Sequence, residues 1–197
     1  MTEWFMLHKR EVSWAVVGLA VIVGGFWYYE RSQAIKAQRA EAAYFQARQV
    51  AGGQDSALQK VVTRYEGTNA GTQAALTLAQ SFYDQKKYKE GLDVLQKSES
   101  KASGDFKASI YVLEAGGHEQ LKDFVAASED YKRAAQATRF PFDKAEYQAT
   151  AARDLMAAGK IAEAKAIWTD LAKDESGPLA AEARVRLGEL GAKPMKI

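Results

Sequence analysis

Cysteine is absent from this 197-residue chain, which excludes disulfides, thiolate metal sites and thiol nucleophiles. Histidine is nearly absent: there are two, His8 and His118, and neither stands in a metal-ligand spacing such as H-x-x-x-H. No G-x-S-x-G elbow, Walker loop or dinucleotide fingerprint occurs, so the sequence offers no catalytic constellation, no cofactor site and no metal site. A charge imbalance is missing too. The 27 basic residues are scattered and are met by 25 acidic ones, so no basic patch invites nucleic acid, and a small-molecule substrate is not expected either. Proline occurs three times, and β-branched runs are few beyond residue 29, whereas alanine is abundant. The fold class these features predict is all-α.

What stands out instead is Val12–Tyr29, 18 consecutive residues without a charge. A helix of that length reaches about 27 Å, enough to cross a bilayer core. Trp14 lies near one end and Trp27, Tyr28 and Tyr29 crowd the other, where amphipathic rings prefer the headgroup level. Lys9 and Arg10 precede it, as in a secretory signal. However, the run is longer than a signal core, ends in aromatics and charge, and meets its first A-x-A triplet only at Ala40-Glu41-Ala42. An uncleaved transmembrane anchor over 12–29 is the expectation, with residues 1–11 as an interfacial tail. Gly18, Ala20, Gly24 and Gly25 are small residues where a neighbouring membrane helix could pack closely. Orientation is open: the raw count of Lys and Arg favours a cytoplasmic C-terminal flank, while the basic pair before the anchor permits the reverse.

Beyond the anchor the pattern stays helical. Ala40, Ala43, Tyr44, Ala47 and Ala51 form a narrow apolar stripe, and no Pro or Gly separates it from the anchor, which predicts one long rod. Gly52-Gly53 stops it, Asp55 or Ser56 is placed to cap the next helix, and Leu58, Val61, Val62 and Tyr65 give that helix its apolar face. Residues 30–67 thus read as a membrane-proximal helix pair. From residue 68 a series repeats: Tyr88-x-x-Gly91-x-x-x-Leu95-x-x-Ser98, then Phe124, Ala127, Tyr131, Ala134, then Ile161, Ala164, Trp168, Leu171, at offsets of 36 and 37 residues. Leu78, Ala79 and Phe82 precede the first copy, and Ala151, Ala152 and Leu155 precede the third. In the middle copy strict register puts Glu114 in the core, whereas the better apolar face runs Phe106, Ile110, Leu113, Gly117, Leu121. The apolar face predicts a helix one residue out of step. Leu179–Leu190 reads as a last helix with Leu187-Gly188 in the bulky–small slot.

This series of large and small residues resembles the tetratricopeptide repeat over residues 34–190. The resemblance implies a solenoid of three to four helical hairpins with a capping helix (68–197), the pair 30–67 being a degenerate repeat. It also implies an inner face built from first helices, and puts Gln73, Leu76, Gln80, Tyr83, Asp84, Glu146, Arg153 and Met156 there as a partner groove. The basic, asparagine-rich set that grips a peptide carboxylate in some members is missing, which points to a folded or mixed polar–apolar partner. One anchor followed by such a domain is similar in layout to the bacterial ancillary Sec translocon subunit family. That layout implies a single-pass protein of the bacterial inner membrane with its repeats in the periplasm. It would act without catalysis as a scaffold or accessory subunit of an integral membrane complex and its periplasmic-side subunits, whether a translocon or a photosynthetic or respiratory assembly. A membrane-tethered chaperone or envelope-assembly factor for unfolded clients is the alternative.

Overall fold

A computed structural model describes the backbone of residues 9–191 and the side chains of Trp14 and of residues 17–191. Most of the expected interfacial tail, and the side chains of Val12, Ser13, Ala15 and Val16 at the start of the apolar run, lie outside the described residues. Nine helices are described, and no strand among these residues: α1 (Lys9–Arg48), α2 (Gln54–Arg64), α3 (Asn69–Asp84), α4 (Tyr88–Glu99), α5 (Gly104–Gln120), α6 (Phe124–Ala137), α7 (Pro141–Ala157), α8 (Ile161–Lys173) and α9 (Ala180–Gly191). The all-α expectation holds, and the long rod is there. α1 runs unbroken for 40 residues, through the apolar run and on into the first hairpin.

Only the second half of α1 is packed. Ala40, Tyr44 and Ala47 are buried against Leu58 and Val61 of α2 and Ala74 and Leu78 of α3, and the Tyr44 hydroxyl lies 3.0 Å from Thr77 Oγ1. The chain turns at Gly52, whose φ of +74° a side chain would resist. Neither Asp55 nor Ser56 caps α2; Gly53 holds that position. Asp55 instead reaches α3, accepting hydrogen bonds of 2.7 Å from Ser81 Oγ and from Gln85 Nε2. Those bonds hold its carboxyl below the usual aspartate range.

Three hairpins follow, α3–α4, α5–α6 and α7–α8, and all turn in the same way. In each, one residue adopts a left-handed backbone: Lys86 (φ 61°), Lys122 (φ 61°) and Gly159 (φ 76°). The next amide then reaches back to the ending helix: Lys87 N to Phe82 O, Asp123 N to His118 O and Lys160 N to Leu155 O, at 2.8–2.9 Å. This is a left-handed helix stop, which satisfies carbonyls that the helix leaves open. Only the third copy uses glycine. Lys86→Gly and Lys122→Gly are each expected to stabilise the fold by about 1 kcal/mol, and Gly159→Ala to destabilise it similarly, which urea melts would resolve.

The interior follows strict repeat register. Gly91, Ala127 and Ala164 are buried where paired helices touch, and Ala79, Ala115 and Ala152 are buried opposite. α5 therefore corrects the out-of-step reading. Glu114, equivalent to Leu78 and Ala151, is 2% exposed, whereas Leu121, on the apparent apolar face, is exposed. Ile110 and Gly117 of that face are buried, and Phe106 and Leu113 are half-buried. At the end, α9 packs Ala183, Leu187 and Leu190 on the last hairpin. Gly188 faces open space and does not fill the expected small slot.

Tyr83 locks the first two hairpins together. Its ring is wedged against Gly91 of α4 and Gly117 of α5, where an added Cβ would collide with it, and its hydroxyl donates to Leu113 O at 3.1 Å. Gly116, one residue away, has open space around it. Gly117→Ala is therefore expected to cost about 1–3 kcal/mol by overpacking, while Gly116→Ala gains about 0.5–1 kcal/mol of helix propensity. Thermal unfolding of the two variants should move in opposite directions.

Candidate protein-interaction surfaces

Over residues 17–29 the side chains of α1 are exposed, and only Trp27 and Tyr28 approach another element, in a cleft shared with Arg64 and Tyr65. Val21, Ile22 and Val23 are exposed, Ile22 at 70%, and so are Trp14, Leu19, Phe26, Trp27, Tyr28 and Tyr29. Nothing lies within 4 Å of a Cβ built on Gly18, Gly24 or Gly25, and Ala20 is exposed as well. The small residues singled out for helix packing and the aromatic flank thus occupy a bare helix, apolar all round. Contiguous apolar surface of this extent marks a membrane or partner contact. Among the described residues no helix is long and apolar enough to cross a membrane. The first residues of the Val12–Tyr29 run, from Val12 to Val16 apart from Trp14, have side chains outside the described set.

The eight residues assigned to the partner groove do not form one surface. Gln73, Gln80 and Asp84 line the outside of α3 and are exposed, Gln80 Nε2 donating to Asp84 Oδ1 at 3.0 Å. Leu76 and Tyr83 are half-buried in the core between α3, α4 and α5. Near the other end, Met156 packs on the last core cluster and Glu146 is half-buried. Arg153 makes a two-pronged ion pair with Glu182 of α9, at 2.8 and 2.9 Å, which ties the last helix to α7. Tyr83 and Arg153 are thus committed to joining repeats.

Sequence reasoning missed a cleft between α5, the α6–α7 connection and the start of α7. Phe140 and Phe142 flank Pro141, which starts α7, and are 55% and 60% exposed. Phe140, Tyr147, Ala108 and Ser109 line a cleft of about 350 Å³ there. Two exposed aromatics around a helix-starting proline are the signal that could have found it.

A polar cluster sits between α4, α5 and α6. The Arg133 guanidinium stacks on the Tyr111 ring at 4.0 Å and faces three carboxylates: Glu99 in close contact, Asp130 at 3.0 Å and Glu114 at 3.6 Å. Tyr111 donates to Glu99 at 2.9 Å, and His118 Nε2 lies 3.7 Å from Asp130. One guanidinium cannot balance three acids in a low-dielectric site. Burial, aided by the Asp130 and Glu99 charges, pushes Glu114 up to about 7, and its Oε1 has no hydrogen-bond partner. Burial also raises Asp154, one hairpin on, to about 7, with the Glu119 charge adding to the effect. Among the described residues, no group of three or more His, Asp or Glu side chains is arranged to hold a metal ion.

Stacked helical hairpins with graded small–large seams define a solenoid scaffold of the kind that binds proteins. The family model of the tetratricopeptide repeat-like domain matches residues 2–114, more than half of the chain, and the chain belongs to that family. The match takes in the apolar helix together with the hairpins as far as α5; beyond it, the repeated turn and seam continue the array through α8. No curated protein and no solved structure matches the chain.

Proposed function

We propose that this protein is a non-catalytic, single-pass membrane scaffold, anchored by Val12–Tyr29, whose repeats hold a folded protein subunit of an inner-membrane complex. One observation carries the reading: a single unbroken helix is exposed and apolar over residues 17–29 and is the first helix of the repeat core from Ala40 onward. A rigid join of this kind fixes the scaffold at a set height above whatever covers the apolar half. The layout resembles the ancillary Sec translocon subunits, which favours repeats on the periplasmic side, with a respiratory or photosynthetic assembly as the other host of the same type.

The cleft beside Phe140, which also carries Tyr147, is the contact this reading assigns to the subunit. Purification in mild detergent through a C-terminal tag should recover one stoichiometric membrane complex. Phe140→Ala with Phe142→Ala is expected to weaken that recovery at least tenfold while leaving helicity and membrane residence intact, since both rings are exposed. Unchanged recovery would move the contact elsewhere.

The same exposed rings favour a second reading, a tethered chaperone that binds apolar segments of unfolded clients. Stoichiometry separates the two. Many substoichiometric clients, and suppression of aggregation by residues 31–197 alone, belong to the chaperone.

A further inference from the structure

We propose that the cleft between α1 and α2 is a binding site for the phosphate of an anionic membrane phospholipid. The cleft, of about 650 Å³, opens just past the apolar run and carries four cations, Arg31, Lys36 and Arg39 from α1 and Arg64 from the last turn of α2, with no carboxylate among its lining residues. Among the described residues none of the four pairs with a carboxylate. Arg31 lies over the Trp27 ring at 5.8 Å, Arg64 over the Tyr65 ring at 5.7 Å, and Lys36 donates to the Glu66 backbone carbonyl at 2.9 Å. Four of the arginines elsewhere, Arg133, Arg139, Arg153 and Arg186, each face an acidic side chain, whereas Arg48 and Arg184 are unpaired among the described residues but stand apart from each other. What sets the cleft apart is that four such cations share one lining.

Depth and direction fit the headgroup. Arg31 to Arg39 lie about 3–15 Å beyond the end of the run at 1.5 Å per residue, which begins within the headgroup layer. Helical side chains lean toward the N-terminus, so these cations reach back toward the membrane surface. Trp27 and Tyr28, at the end of the run, supply apolar wall where the glycerol and upper acyl chains of a lipid would lie. Planar guanidiniums from two helices suit the tetrahedral oxygens of a phosphate better than lone ammoniums would. The assignment of a lipid, as opposed to a free anion, rests on the membrane-anchored reading above.

The test uses the full chain in a neutral detergent, titrated with short-chain phosphatidylglycerol, short-chain phosphatidylcholine or inorganic phosphate, with bound molecules counted by native mass spectrometry. Phosphatidylglycerol should bind at least tenfold more tightly than phosphatidylcholine. The variant R31Q/R39Q/R64Q should lose that preference while keeping its unfolding midpoint. A second variant, K97Q/K132Q/K173Q, removes the same charge far from the cleft and should keep the preference. Equal binding of both lipids to the native chain, or loss of the preference in both variants, overturns the site. Inorganic phosphate binding as tightly as phosphatidylglycerol, and displacing it, overturns the lipid assignment in favour of a free anion. Flotation of the same protein with pure phosphatidylcholine vesicles in high salt reports on the anchor separately. Flotation without headgroup preference leaves the anchor and removes the site; headgroup preference without flotation does the reverse.

Discussion

Glu114→Leu should raise stability, by about 3 kcal/mol more at pH 8 than at pH 4. The Glu114 carboxyl is 2% exposed and titrates near 7 in the folded protein, against 4.5 for an ordinary glutamate. Between those values the folded state holds a proton that the unfolded state has released, so stability falls as pH rises. The contribution is fully present below 4.5 and is lost as pH passes through 7. At about 1.4 kcal/mol per unit the shift amounts to roughly 3 kcal/mol. Leucine has no charge to bury, fits the slot that Leu78 fills in the preceding repeat, and leaves Arg133 with Glu99 and Asp130. Replacing buried charge by matched apolar volume is often stabilising. Asp154, also raised to about 7, keeps part of the native chain's pH dependence after the substitution. Urea melts at pH 4, 6 and 8 should show the two curves diverging with pH; a constant gap would refute the burial account.

Val21→Arg combined with Ile22→Arg should abolish membrane residence. A cation at the centre of a spanning helix costs about 2.5–3.5 kcal/mol on insertion scales, so the pair costs roughly 6 kcal/mol, some four decades in partition. Both side chains are exposed on α1, at 69% and 70%. The repeat domain should therefore keep its helicity and melting point. A drop in the melting point with unchanged membrane fractionation would mean that the apolar half packs on the protein instead.

Much of the solenoid was legible because its seams are written in residue size. Gly91, Ala127 and Ala164 fall at repeat spacing and are buried as that spacing requires. The sequence left the register of the middle helix open because the rule that apolar side chains lie inside competed with repeat spacing. Repeat spacing prevailed, since Arg133 lies 3.6 Å from Glu114 and a pKa raised to about 7 lets the carboxyl be buried uncharged. The groove was legible only in part. Register fixes which face a residue occupies, but Tyr83 and Arg153 were drawn into joints between hairpins by partners, Gly117 and Glu182, about 30 residues away. The cation cleft was invisible for the same reason: it needs Arg64 folded back against Arg31 and Arg39.

Because the chain has no cysteine, single cysteines placed along α1 report its surroundings one residue at a time. Gly18→Cys, Leu19→Cys, Ala20→Cys and Val21→Cys, about 100° apart around the helix, sample all sides of the exposed half, and Gln33→Cys and Gln38→Cys lie beyond it. If α1 spans a bilayer, the first four should resist a membrane-impermeant maleimide until detergent is added, regardless of the side they face, and the last two should label at once from one side of the membrane only. Protection of one face with labelling of the opposite face would place α1 in a protein groove, and even labelling of all six would contradict the anchor.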